Sequence, residues 1–67
     1  MIEIVLNGEP ASMPSGITVT GLLEHMQLTG KRVAVEVNRE IVPRSLHAGH
    51  ALSAGDRVEI VQAIGGG

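Results

Sequence analysis

The chain has 67 residues, a length that suits one small domain with one hydrophobic core and leaves no room for a large internal active site. It carries 5 Lys and Arg against 7 Asp and Glu, a formal net charge of -2, and it lacks Phe, Tyr and Trp, so nucleic acid is not an expected partner. The lack of cysteine excludes disulfides, thiolate metal ligands and thiol nucleophiles.

The amino-terminal sequence MIEIVLNGEP has neither a basic leader nor a long apolar segment. No run in the sequence approaches the roughly 18–20 apolar residues that a membrane-spanning helix needs. We therefore expect a soluble cytoplasmic protein without a membrane partner.

The first predicted elements are two strands joined by a tight turn. Apolar side chains at positions 2, 4 and 6 are typical of a half-buried strand over Ile2–Leu6. Asn7 and Gly8 both tolerate the positive φ of a two-residue hairpin turn, so a second strand is predicted over Glu9–Met13. Pro10 indicates that this second strand lies at a sheet edge.

A helix is predicted next, with Thr18 as its amino-terminal cap. Gly21 lowers its intrinsic stability by about 1 kcal/mol relative to Ala, so the helix must depend on docking against a sheet. Gly30 is a natural stop signal after Leu28. The apolar residues at helical spacing are Val19, Leu22, Leu23 and Met26.

The remaining strands follow in the second half of the chain. Valines at positions 33, 35 and 37 predict a third strand, and the turn Asn38-Arg39 leads to a short strand at 40–42. The stretch 44–54 is predicted to be an irregular connection in which Leu46 and Leu52 anchor to the core. A turn at 55–56 precedes a last strand at 57–63, with positions 58 and 60 facing the core.

This order of elements predicts an α+β fold of the β-grasp, or ubiquitin-like, type. One helix packs across a mixed four- to five-stranded sheet, because the apolar stripe of the helix and the inward faces of the strands can bury only each other. The first and last strands are expected to pair in parallel at the centre. We expect a β-grasp domain at 1–64 and a flexible glycine tail at 65–67.

The sequence predicts no catalytic residue of its own in this chain. The histidines His47 and His50 lie three positions apart and could face one metal, but no third ligand follows, so we interpret them and His25 as solvated surface histidines and expect no metal. No serine is placed near a histidine and an acid in a recognisable triad. The four serines are Ser12, Ser15, Ser45 and Ser53.

Arg44 has two interpretations. Its guanidinium could bind a carboxylate or phosphate of a partner, or it could be solvated at a bend while its methylenes cover Leu46. Single exposed arginines are common, which favours the second interpretation.

The sequence ends in Gly65, Gly66 and Gly67 directly after an apolar strand. These residues are either a frayed end or a thin, flexible lead that enters the active site of a partner. An α-carboxyl group with its ordinary pKa of about 3.3–3.7 is ionised at neutral pH and can attack the α-phosphate of ATP. A sulfur nucleophile can then displace AMP from the acyl adenylate and leave a thiocarboxylate. Residues 62–67 span up to about 20 Å when extended.

Several motifs together carry a resemblance to a known family. They are Asn7-Gly8-Glu9, the helix start Thr18-Val19 with its Leu-Leu pair, VAVEVN at 33–38, IVPR at 41–44 and GDRVEIVQAIGGG from position 55. With these motifs the chain closely resembles the sulfur carrier proteins of thiamine biosynthesis over essentially its whole length.

The resemblance implies a function as carrier and cosubstrate and not as an enzyme. A ubiquitin-activating-like adenylyltransferase would use Mg-ATP to adenylate Gly67, and a cysteine desulfurase or another sulfur donor would supply the sulfur of a 1-thioglycine terminus. Thiazole synthase would accept that sulfur, with Gly65 and Gly66 entering the partner active sites. ATP and magnesium would belong to the activating partner, so no stably bound cofactor is expected.

The sequence departs from the family at two positions. Arg39 stands where the family often has glycine, and His47 lies near a position where some members have tryptophan.

Three other functions stay open. They are the small subunit of molybdopterin synthase, a modifier that forms isopeptide bonds through Gly67, and a non-covalent binding module. A strand face that bears Glu36 and Glu59 is a candidate docking surface.

Overall fold

The computed structural model describes residues 1–62. Its strands are β1 (Ile2–Leu6), β2 (Glu9–Met13), β3 (Val33–Val37), β4 (Glu40–Ile41) and β5 (Arg57–Gln62). The helix α1 spans Val19–His25, and a 3-10 helix spans Arg44–Gly49.

The five strands form one mixed sheet in the order β2-β1-β5-β3-β4. β1 pairs with β2 in antiparallel and with β5 in parallel orientation, and β3 pairs with β5 and β4 in antiparallel orientation. The predicted β-grasp arrangement is confirmed, including the parallel pairing of the first and last strands and the edge position of the strand that contains Pro10.

The core lies between one face of the sheet and α1. The helix contributes three buried residues and the strands contribute their inward positions, so the alternation of period two and the helical stripe meet as predicted. Met26, the carboxyl-terminal cap of the helix, packs against this core but is only half-buried. The buried hydrophobic residues are Ile4, Met13, Val19, Leu22, Leu23, Val35, Val37, Val42, Leu52, Val58 and Ile60.

The helix ends earlier than the sequence predicts. Thr18 is the amino-terminal cap and accepts a hydrogen bond from the Gly21 N–H at 3.1 Å, as expected. The carboxyl-terminal stop is not Gly30, because Gln27 already adopts a left-handed φ of 61°. The N–H of Leu28 then bonds to the carbonyl of Leu23 at 2.8 Å, which is a Schellman closure.

The connection between β4 and β5 contradicts two expectations. The predicted core anchor Leu46 is 56% exposed, whereas His47, predicted to be solvated, is only 7% exposed. The reason is the 3-10 helix, whose tight turn directs His47 inward, where its Nε2 lies 2.9 Å from the Val42 carbonyl oxygen. Leu52 is buried as predicted.

The turn between β3 and β4 places a strained residue in the backbone. Asn38 and Arg39 have φ values of 52° and 71°, as a type I′ hairpin turn requires. Asparagine tolerates this region, but arginine has a Cβ that is crowded there. The departure from glycine at position 39 therefore has a conformational cost.

We expect Arg39→Gly to stabilise the domain by about 1 kcal/mol, because it relieves the left-handed strain of the turn. The measurement is the free energy of unfolding in urea. Arg39→Ala is the control, since it removes the same charge and keeps the Cβ. Equal stability of the two variants would contradict the assignment of strain.

Candidate functional site

The predicted reacting residues Gly65, Gly66 and Gly67 lie outside the described residues. The structure therefore describes the root of this predicted tail, which is the end of β5. Val58 and Ile60 on this strand are buried, with 0% and 9% exposure. β5 occupies the middle of the sheet, so its course is fixed by neighbours on both sides.

The neighbouring strands on the two sides of β5 pair with it over different lengths. On one side β3 pairs with β5 from Val58 to its last residue, Gln62, which lies opposite Val33. On the other side β1 pairs only as far as Leu6 and Val58. A further contact is needed where β5 continues past the end of β1.

Asn7 supplies that contact. Its N–H donates to the Val58 carbonyl at 2.9 Å, and its Oδ1 accepts a hydrogen bond from the Ile60 N–H at 2.8 Å. Beyond the end of β1, the Asn7 side chain thus supplies the hydrogen-bond acceptor that a paired strand would otherwise supply to β5. This role joins residues that are 53 positions apart, so the sequence reveals Asn7 only as a turn residue.

The opposite end of β5 is fixed in a similar way by Asn38. Its Oδ1 accepts from the Arg57 N–H at 3.0 Å, and its Nδ2 donates to Asp56 Oδ1 at 3.0 Å. Asp56 Oδ2 in turn accepts from the Ser53 N–H at 2.8 Å. Side chains from both hairpin turns therefore fix the strand that leads to the tail.

We expect Asn7→Gly to accelerate hydrogen exchange of the Ile60 amide and to cost about 1 kcal/mol of stability, because that part-buried N–H loses its acceptor. Glycine fits the positive φ of position 7, so backbone strain does not contribute. Exchange is measured by NMR. Asn7→Asp keeps a side-chain oxygen acceptor and should retain slow exchange; unchanged exchange in Asn7→Gly would contradict this role.

The outer face of the sheet carries the predicted candidate docking residues. Glu36 and Glu59 are cross-strand partners and thus lie side by side on this face. Ala34 and Val61 form the next pair toward the tail, and Val61 is 63% exposed. This face therefore combines two adjacent carboxylates with exposed apolar surface near the root.

The histidines differ from one another in exposure, whereas the serines do not. His25 is exposed, His47 is buried and His50 is half-buried, while all four serines are exposed. Within residues 1–62 no group of three or more His, Cys, Asp or Glu is arranged to hold a metal ion. Over the same residues, no helix has the length and apolar character needed to cross a membrane.

Comparison with known proteins shows which family has this fold. The model of the ThiS family matches residues 4–67. The crystal structure of the thiamine biosynthesis protein ThiS from Geobacter metallireducens superposes with a TM-score of 0.85 at 29% identity, covering 98% of this chain and 100% of that chain. The fold and the family match thus agree over nearly the whole length.

Two curated relatives add detail. A protein named thiazole synthase from Paramagnetospirillum magneticum is 44% identical over 66 residues, which are 98% of this chain and 20% of that protein. This chain therefore spans about a fifth of that relative. The sulfur carrier protein ThiS of Escherichia coli is 33% identical over 66 residues, covering 98% of this chain and 100% of the relative. From these matches, this chain belongs to the ThiS family, the family of the Escherichia coli sulfur carrier protein.

Proposed function

We propose that this chain is a sulfur carrier protein for the thiazole moiety of thiamine and that Gly67 carries the sulfur. The observation that carries the proposal is the family match, which extends through the three terminal glycines. The central position of β5 supports it, since this strand leads directly into residues 63–67. We divide the chain into a β-grasp domain at 1–64 and a glycine tail at 65–67.

In the proposed reaction the Gly67 carboxylate attacks the α-phosphorus of ATP and pyrophosphate leaves. A ubiquitin-activating-like adenylyltransferase binds the ATP and magnesium and catalyses this step. Hydrosulfide then attacks the acyl carbon and displaces AMP. Where a cysteine desulfurase carries the sulfur as a persulfide, a thiol reductant cleaves the S–S bond to release the hydrosulfide and is itself oxidised to a disulfide. The product is a thiocarboxylate, and the chain itself acts as cosubstrate without catalytic residues of its own.

The proposed acceptor of the sulfur is thiazole synthase. Two bacterial proteins with this name contain a stretch that matches 98% of this chain, at 44% and 39% identity. A carrier-like stretch within a longer chain of that name supports a functional link between the two. Gly65 and Gly66 would lie in the narrow approach to the active site, where a Cβ would be crowded.

Genetic complementation tests this function. A strain from which the gene is deleted should require thiamine or its thiazole precursor, and the full chain should restore growth. A chain without Gly67 should not restore growth. Growth of the deletion strain without thiamine, or a defect confined to molybdenum enzymes, would contradict the proposal. Gly67 joined to lysines of many proteins would indicate a protein modifier instead.

A further inference from the structure

A cleft of about 180 Å³ lies on the helix side of the sheet. The end of α1, the loop that follows it, the start of β3 and the 3-10 helix form its walls. Leu28 and Val33 line it and are only half-buried, so residues 1–62 leave part of its apolar lining uncovered. An apolar cavity of about 150 Å³ holds a benzene ring, so this cleft has room for one branched apolar side chain.

Two cations stand at the rim of the cleft. Lys31 and Arg44 are both exposed lining residues, and none of the described lining residues is an Asp or Glu. Arg44 Nη2 donates to the Lys31 carbonyl oxygen at 3.5 Å, which places the guanidinium beside the loop. The other N–H donors of the guanidinium have a geometry that suits a carboxylate. The rim therefore attracts an anionic group.

The register of the sheet directs the chain beyond β5 toward this cleft. Val35 lies opposite Ile60, and Val33 lies opposite Gln62, the last described residue. Ile60 is buried on the helix side, and alternate residues of a strand share a face, so position 64 falls on that side if the strand continues. The same register would bring position 64 opposite Lys31, at the rim of the cleft.

Residues 63–67 complement the cleft in chemistry and in length. Ile64 is the one branched apolar residue among them, and its side chain suits the apolar lining. The three glycines that follow span up to about 10 Å, about twice the spacing of about 4.8 Å between neighbouring strands. A carboxylate at Gly67 therefore has the reach to meet the two rim cations.

A short tether favours this segment over a separate protein as the occupant. Ile64 follows Gln62 by two positions, and a short flexible linker gives the group that it carries an effective concentration in the millimolar range. One isoleucine and one exposed ion pair bind weakly, so they fill the cleft to a useful extent only when they are tethered in this way. The same weakness allows a partner to remove them.

We propose that residues 63–67 dock in this cleft of their own domain when the chain is free of partners. Ile64 covers the apolar lining, and the Gly67 carboxylate pairs with Arg44 and Lys31. Docked and released forms exchange, and only the released form enters the active site of the adenylyltransferase, so the contact is autoinhibitory. This inference rests on the proposed function, because it requires a free reacting carboxylate at Gly67.

Nuclear Overhauser contacts in the isolated full chain test the docking. We expect contacts from the Ile64 methyl groups to those of Leu28 and Val33, and Ile64→Ser should shift the Leu28 methyl resonances. Val61→Ser is the matched control, since it removes an apolar side chain that is 63% exposed on the outer face of the sheet. An Ile64 side chain without contacts to the cleft, or equal shifts in both variants, would overturn the inference.

Removal of the rim charge tests the ion pair. The double variant Lys31→Gln with Arg44→Gln is compared with Arg39→Gln with Arg57→Gln, which removes equal charge from exposed residues at the other end of the sheet. We expect the rim variant to shift the carboxyl-carbon resonance of Gly67 and the control to match the wild type. At about 1 M salt, where the Debye length is about 3 Å, the wild type should approach the rim variant. A Gly67 resonance that responds to neither change would overturn the pairing.

Adenylation kinetics test the autoinhibition. If about two thirds of the free chain is docked, the rim variant should lower KM for the carrier about threefold and leave kcat unchanged, because the apparent affinity scales with the competent fraction. An unchanged KM would overturn the autoinhibition. A raised KM would mean that the rim cations bind the enzyme instead of the tail, and would overturn it as well.

The two proposals fail in different ways. Absent Ile64 contacts in a chain that is adenylated normally would overturn this inference alone. A chain that an active adenylyltransferase does not adenylate would overturn the proposed function and with it the autoinhibition, even where the Ile64 contacts are observed. Contacts that arise only between differently labelled chains would mean that a second copy fills the cleft, and would overturn docking within one chain.

Discussion

A chain that lacks Gly67 is expected to lose adenylation by at least about 100-fold, since displacement of a reacting group by even 1 Å can cost that much. The deletion moves the terminal carboxylate back by one residue, about 3.5 Å in an extended chain. Stability should not change, because the buried residues of the described part lie between Ile4 and Ile60. Pyrophosphate release with the adenylyltransferase measures the reaction, and thermal unfolding measures stability.

Gly66→Ala is the matched variant for this deletion. This variant keeps the length of the chain and adds one methyl group. It therefore tests the width of the channel to the active site of the adenylyltransferase, whereas the deletion tests the length of the tail. We expect impaired adenylation and an unchanged unfolding temperature. Full adenylation of the chain without Gly67 would contradict the role of its carboxylate, and unfolding of either variant would show that the glycines are structural.

Leu22→Ala is expected to have the largest effect on stability, about 2–5 kcal/mol. Leu22 is fully buried in the core formed by α1 and the sheet. A domain of this size has a total stability of about 3–10 kcal/mol, so the variant should lose much of it or unfold. Urea denaturation followed by circular dichroism gives the free energy.

Leu46→Ala is the control, because it removes the same atoms from a residue that is 56% exposed. We expect its cost to stay below about 1 kcal/mol. Similar losses for the two variants would contradict the burial of Leu22, the exposure of Leu46, or both. The cost of Leu46→Ala also distinguishes the observed exposure of Leu46 from the expectation that this residue anchors to the core.

The sequence predicted the parts of the fold that depend on local patterns. The alternating valines of β3, the Asn7-Gly8 turn and the Thr18 cap each act within a few residues, so their signals are direct. The 44–54 stretch has no such period, and the inward position of His47 depends on the tight turn of the 3-10 helix and on the Val42 carbonyl. Its burial was therefore not predictable from neighbouring residues.

The early end of α1 had a similar cause. Glycine is the usual left-handed residue at a helix end, so Gly30 was the stronger signal, but Gln27 takes that conformation in the structure. Packing of the half-buried Leu28 against the core accompanies the earlier closure. Tertiary contacts thus outweighed the local preference.

The candidate site was also predictable from the sequence only in part. The reacting residue Gly67 was predicted from the sequence and stays a prediction, since it lies outside the described residues. The root of the tail required the structure, because Asn7 and Ile60 are distant in sequence and meet only through the pairing of β1 with β5.

Intact-mass spectrometry of the chain tests the central claim most directly. The full chain is incubated with its adenylyltransferase, Mg-ATP and a sulfur donor, and the chain without Gly67 serves as the control. We predict an AMP adduct on the full chain, followed by the replacement of one terminal oxygen by sulfur, and no change in the control. An unchanged mass of the full chain, with an adenylyltransferase shown to be active on another carrier, would contradict the account.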